Sequence, residues 1–202
     1  IDKLPIAKVD KAFQDLLSAD ADDRGVLFSE ASLQARKREH IRADRVAERW
    51  RNLKNSLTTL KPEVAAQQQQ ELIDAVALMI AHGGDTSNLI LDPDLDSYYL
   101  MDAVVLALPQ TQNRLAAILE EGKELLQKTS LELNNRIRFA VFAAQLRLDD
   151  HDRIVATDIP TAIENDAAFY GTSASLAANL LPAQKRYSEA TQAFCGMLDN
   201  LA

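Results

Sequence analysis

The 202-residue chain sets 22 Lys and Arg against 30 Asp and Glu, a formal charge of −8, so it lacks the basic field that a nucleic-acid surface requires. With 47% apolar residues, 5% aromatics, 6 Gly and 6 Pro, the composition favours a helical bundle with an Ala/Leu core over a sheet, and the length suffices for one domain or two small modules. No apolar run approaches the roughly 18 residues of a membrane-spanning helix, and the single cysteine, Cys195, forbids an internal disulfide.

Ile6, Val9, Phe13 and Leu16 or Leu17 recur at steps of three and four and predict a first amphipathic helix from about Pro5 to Leu17. The acidic piece Asp20 to Gly25 breaks it or links it onward. Ser29 then opens a long helix to about Leu60, with Val46, Trp50, Leu53, Leu57 and Leu60 on one stripe and Pro62 closing it. Glu63 to His82 form the next helix, with Leu72, Val76 and Met79 or Ile80 facing inward. Gly83 and Gly84 supply its stop, because glycine reaches the left-handed conformation without a Cβ clash.

The stretch Asn88 to Pro109, NLILDPDLDSYYLMDAVVLALP, departs from this pattern. Pro93 keeps Asp92 out of the helical region and Asp96 stands where an N-cap belongs. A buried loop should therefore feed a helix starting at Ser97, with Leu100, Val104 and Leu108 on one stripe and its end at Pro109. Pro109 to Lys128 give another helix, with Leu115, Ile118 or Leu119, and Leu125 or Leu126 as its core. Ser130 caps the next, Leu131 to Ala156, whose seam is Leu133, Ile137, Val141, Ala144, Leu148, His151 and Val155.

A further helix or turn runs through Ile159 to Phe169 and bends at Gly171. Leu176, Leu180, Ala183, Tyr187, Ala190, Phe194, Met197 and Leu201 then follow a seven-residue recurrence, and Pro182 predicts a kink within it. These elements imply an all-α, elongated antiparallel helical bundle. The preferred architecture is two stacked four-helix modules sharing long helices, with the Asn88–Pro109 stretch near their junction; one longer bundle is the alternative.

Asp92, Asp94 and Asp96 alternate as at the start of a calcium loop, but Ser97 and Ala103 stand where such a loop needs its glycine and bidentate glutamate. Capping and turn formation account for them better. Tyr98 and Tyr99, with Asp102 one turn on, form a candidate ligand pocket of phenols and a carboxylate; filling a module junction is the competing role. Arg38, Arg42, Arg45 and Arg49 fall on one face of the predicted long helix, where Arg42 and Arg45 are candidates for gripping a carboxylate or phosphate. Interleaved Glu39, Asp44 and Glu48 suit a solvated face equally well. Arg138, beside the Ile137 seam, is a further ligand candidate.

His151 reads as a helix-interface histidine and Cys195 as a small packed apolar group. No glycine box, nucleophile–base set or metal-ligand set stands out, so neither catalytic residues nor a metal or cofactor are expected.

The run LDPDLDSYYLMD, Leu91 to Asp102, with the apolar helix after it, resembles a segment of all-helical extracytoplasmic sensor domains of bacterial transmembrane receptors. Both sensor histidine kinases and methyl-accepting chemotaxis receptors carry such domains, and the helix pattern is similar to helical bimodular sensors. The resemblance implies that residues 1–202 are one non-catalytic periplasmic sensor domain of an inner-membrane homodimer. It further implies a small-molecule ligand or a periplasmic binding protein as partner, with phosphotransfer in a kinase part elsewhere. The chain opens at Ile1 and stops inside a helical pattern, which we read as a piece cut between two membrane helices. A chemoreceptor domain or a soluble helical scaffold is the alternative.

Overall fold

The computed structural model describes residues 5–22, 27–128, 130–168 and 171–202. Among them every regular element is helical, with no strand, and no helix is long and apolar enough to cross a membrane. The chain divides into two compact units, Ile1–Asn88 and Leu89–Ala202, and no helix crosses the division.

The first unit contains α1 (Ile6–Asp22), α2 (Glu30–Ala35), α3 (Ala43–Ser56) and α4 (Pro62–Thr86). Ile6, Val9, Phe13 and Leu16 of α1 pack against the buried core of Val46, Trp50, Leu53, Leu72 and Met79, as their periodicity requires. Phe13 stacks on Trp50 at 6.0 Å. Trp50 also donates its indole N–H to Asp10 at 2.8 Å, and Lys54 reaches the same carboxylate at 2.9 Å. Lys54, then Trp50, hold the Asp10 carboxyl below the usual carboxylate range. α1 continues to Asp22, past Leu17; the rest of the expected break, residues 23–25, lies outside the described residues.

The single helix expected from Ser29 to Leu60 is instead two helices separated by a left-handed residue, Lys37 (φ 56°), and a 3₁₀ turn, Glu39–Ile41. Ser29 does cap α2, accepting from the Ser32 N–H at 3.2 Å. The turn buries Leu33, Ile41 and Ala43 almost completely, and this burial offsets the roughly 1–2 kcal/mol cost of a left-handed lysine. Pro62 opens α4 rather than closing α3, and α4 runs through Gly83 and Gly84 to Thr86. The glycines do not stop it. The Thr86 hydroxyl donates to the His82 carbonyl at 2.7 Å, Ser87 donates to Gly84, and Asn88 (φ 60°) takes the left-handed position assigned to glycine.

The second unit is built from α5 (residues 95–126), α6 (residues 133–165) and α7 (Leu176–Leu201). α5 and α6 lie antiparallel, with Arg114 opposite Asp150 and Arg153 opposite Asp102. α7 runs antiparallel to α6 in turn, with Cys195 opposite Ala143 and Ser188 opposite His151. Ile118, Leu125, Phe139, Ala143, Leu146, Cys195 and Leu198 form one buried cluster, and Ala107, Ile154 and Ile159 a second. Cys195 is thus a packed apolar group.

Several expected boundaries move here. α5 begins at Leu95, not Ser97, with Asp94 in the N-cap place, and α6 begins at Leu133 with Glu132 there instead of Ser130. The approach to α5 is largely exposed at Leu89, Ile90 and Leu91, so only Asp94 of the expected buried loop is buried. α5 passes through Pro109 to Leu126, and Val104 of its expected stripe is exposed while Met101, Ala103 and Ala107 are buried. The expected seam of α6 is also out of phase. Leu133, Ile137, Val141 and Leu148 are exposed, whereas Phe139, Ala143, Leu146, Asp150, Ile154 and Asp158 face inward. Helical structure after Ile159 ends at Asn165; Phe169 lies outside the described residues. α7 continues through Pro182 without interruption.

Candidate functional site

Both long helices of the second unit contain π-helical turns, Asp102–Ala107 in α5 and Leu146–Asp158 in α6. In each, the π segment ends two residues before a proline, Pro109 and Pro160. A proline inside an α-helix lacks an N–H and presses its ring on the carbonyl four residues back, and a wider turn before it relieves that clash. Pro160 leaves the carbonyl five residues back, that of Val155, without its π-helical donor. The Gln184 side-chain amide on α7 takes that place at 2.8 Å. Replacing Gln184 with leucine is expected to cost about 1 kcal/mol in urea unfolding, since the carbonyl then has no donor.

The two π segments carry a polar network. Arg153 grips Asp102 through both arms, Nε to Oδ2 at 2.8 Å and Nη2 to Oδ1 at 2.7 Å, and its Nη1 donates to Gln110 at 3.1 Å. The bidentate geometry is the strong form of this pair and raises the Arg153 pKa. Asp158, 2% exposed, closes the second π segment beside Asp102, and its Oδ2 has no hydrogen-bond partner. Burial, then the neighbouring Asp102 charge, push its pKa up to about 6 against the partial opposition of Arg153. Two carboxylates cannot both accept from each other; a proton on Asp158 donated to Asp102 resolves the unpaired oxygen.

About two turns before Asp158, Asp150 is buried and accepts from Arg114 Nε at 2.7 Å. His151 sits at the α6–α7 interface, with Nε2 2.8 Å from the Ser188 hydroxyl and Nδ1 2.9 Å from Asp152. Tyr187 packs on the adjoining apolar cluster with its hydroxyl unbonded, and burial raises its pKa. The two π segments therefore bring one cation, Arg153, between the acids Asp102 and Asp158, and the Arg114–Asp150 pair ties the same two helices farther along. π turns are enriched at functional sites because they re-aim side chains.

Of the residues singled out from sequence, Asp102 is at the centre of this network. Tyr98 and Tyr99 lie one turn before it and pack edge-to-face on each other at 5.3 Å. Arg138, half-exposed, pairs instead with Glu121. Arg42 and Arg45 belong to the first unit. There Arg42 pairs with Asp44 at 2.5 Å, and Arg38 pairs with Asp85 at 2.6 Å beside the buried His82. With the long helix broken at Lys37, the four arginines do not form one row. Asp92 accepts from the Asp94 N–H at 3.0 Å and Asp96 from Ser97, which is turn and first-turn chemistry; among the described residues no three His, Cys, Asp or Glu converge to hold a metal ion.

Arg153, Asp158, Asp150 and Arg114 escaped the sequence reading. Their signal was present in the charge-dense run Asp149–Arg153 interleaved with an apolar face, and in the two prolines inside otherwise unbroken helical patterns. No protein-family model, curated protein or solved structure matches the chain.

Proposed function

We propose that this chain is an extracytoplasmic signal-sensing domain of a bacterial sensor histidine kinase, working as a homodimer. The observation that carries the reading is the Asp102–Arg153–Asp158 network, which ties together two π-helical turns on neighbouring helices. Such turns and buried ion pairs have discrete alternative arrangements, so a bound signal that favours one of them shifts helices by about 1–2 Å. The likeness of Leu91–Asp102 to periplasmic sensor segments supports the same reading, and so does the division into two compact units, although no long helix is shared between them. The exposed stripe of Leu133, Ile137, Val141 and Leu148 supports the homodimer as its seam.

The test uses the complete parent protein in inner-membrane vesicles. Autophosphorylation from labelled ATP is expected, and Arg153→Gln is expected to fix its rate at one level whether or not periplasmic extract is added. A parent without apolar spans and a kinase part would overturn the reading in favour of a soluble scaffold. A parent ending in a methyl-accepting coiled coil would transfer it to the chemoreceptors.

A further inference from the structure

A second site lies in the first unit. α3 and α4, with His40 of the preceding turn, line a groove of about 590 Å³, within the range of small-molecule sites. Its floor is apolar, made by the buried Leu53, Leu72 and Ala75. One wall, from α3, carries Arg49 and Asn52; the other, from α4, carries Gln68, Glu71 and Asp74. Arg49 makes no ion pair among the described residues, in contrast to Arg38 and Arg42 of the same unit. The acids opposite are held in place by neighbouring amides, Gln67 on Glu71 at 3.0 Å and Gln70 on Asp74 at 2.9 Å, which leave their charges unneutralised. A cation and two anions thus share one groove without a salt bridge between them.

We propose that this groove binds a cationic α-amino acid, of the lysine or arginine class. The ligand carboxylate pairs with Arg49, its two cationic groups with Glu71 and Asp74, and its methylene stem lies on the apolar floor. The charges match. One guanidinium and two carboxylates give the groove −1 from these three groups, and a dibasic amino acid carries +1. Bidentate Arg–carboxylate pairing gives orientation, and the amides of Asn52 and Gln68 supply the remaining donors and acceptors. The inference stands whether or not the chain belongs to a receptor.

Calorimetric titration of the purified chain tests it, with L-lysine and L-arginine as probes and norleucine, putrescine and glutarate as controls. Lysine or arginine is expected to bind with a millimolar or tighter Kd that weakens at high salt. Norleucine lacks the second cation and putrescine the carboxylate; each is expected to bind at least about tenfold more weakly. Arg49→Ala and Glu71→Gln are expected to weaken lysine binding about tenfold, with Arg45→Ala unchanged. All three positions are exposed, and a helical circular-dichroism spectrum confirms folding of each variant. Absence of lysine and arginine binding, equal affinity for norleucine or putrescine, or indifference to Arg49→Ala would each overturn the proposal.

Discussion

Asp158→Asn is expected to make the protein more stable at pH 7.5, by about 1–3 kcal/mol, because it removes a charge that the fold disfavours. The Asp158 carboxyl has an ordinary value of 3.8 and is pushed up to about 6 by burial and by Asp102. Between those values the folded protein holds a proton that the unfolded chain has lost. Stability from this group is therefore fully present below about pH 4 and disappears as pH rises through 6. One pKa unit is worth about 1.4 kcal/mol, which sets an upper bound near 3 kcal/mol.

Asparagine keeps the shape and can donate to Asp102 at every pH. Urea unfolding of both proteins from pH 4 to pH 8 should show curves that nearly meet at the acid end, separate between about pH 4 and pH 6, and stay apart by a constant amount above that. Groups with lowered values, such as Asp10 and Asp44, push stability the other way on acidification, but they act equally on both proteins and cancel in the difference. A constant gap across the whole range would show that Asp158 is ionised in the fold.

Arg153→Gln should have the opposite sign and a larger size, a loss of about 2–4 kcal/mol at pH 7.5. The side chain of Asp102 is only 14% exposed and relies on Arg153 for both of its strong hydrogen bonds. Removing the guanidinium leaves two carboxylates side by side with no cation. Asp158 should then titrate still higher, so the variant's stability should fall more steeply between pH 5 and 8 than that of the parent. Adding Asp102→Asn should recover a large part of the loss, since the orphaned charge goes with it. Equal and additive losses in the two single variants and the double variant would mean that the pair contributes no coupling.

How much of this was legible in the sequence depended on whether α-helical periodicity held. In α1, α3 and α4 it did, and Phe13, Trp50, Leu53, Leu72 and Met79 fall where a turn of 3.6 residues places them. In α6 it did not. Leu146, Asp150, Ile154 and Asp158 recur every four residues, a spacing that drifts about 40° per step around an α-helix and would spread these four side chains over a third of its circumference. The wider turn keeps them on one face and leaves Leu148 outside it, whereas in the α-helical part before it Asn135, Phe139 and Ala143 take the inward face and Leu133, Ile137 and Val141 the outward one.

The left-handed Lys37 was equally hidden, because nothing local distinguishes it from the arginines around it. Only the burial of Ile41 and Ala43 and the reach of Arg38 to Asp85 select that conformation. Asp102 was found because its neighbours are conspicuous, while its partners Arg153 and Asp158 stand more than fifty residues away and become neighbours only through the antiparallel hairpin.

The paired prolines carry a consequence for how such a hairpin can be tuned. Pro109 and Pro160 stand at the same offset beyond their wide turns, like chocks wedged under two springs. Knock out either chock, by restoring an ordinary residue with its amide hydrogen, and the coil behind it is free to tighten and revolve. Everything threaded on that coil, the acid at position 102 behind Pro109 or the one at 158 behind Pro160, would then swing to a new compass bearing against the unmoved partner rod.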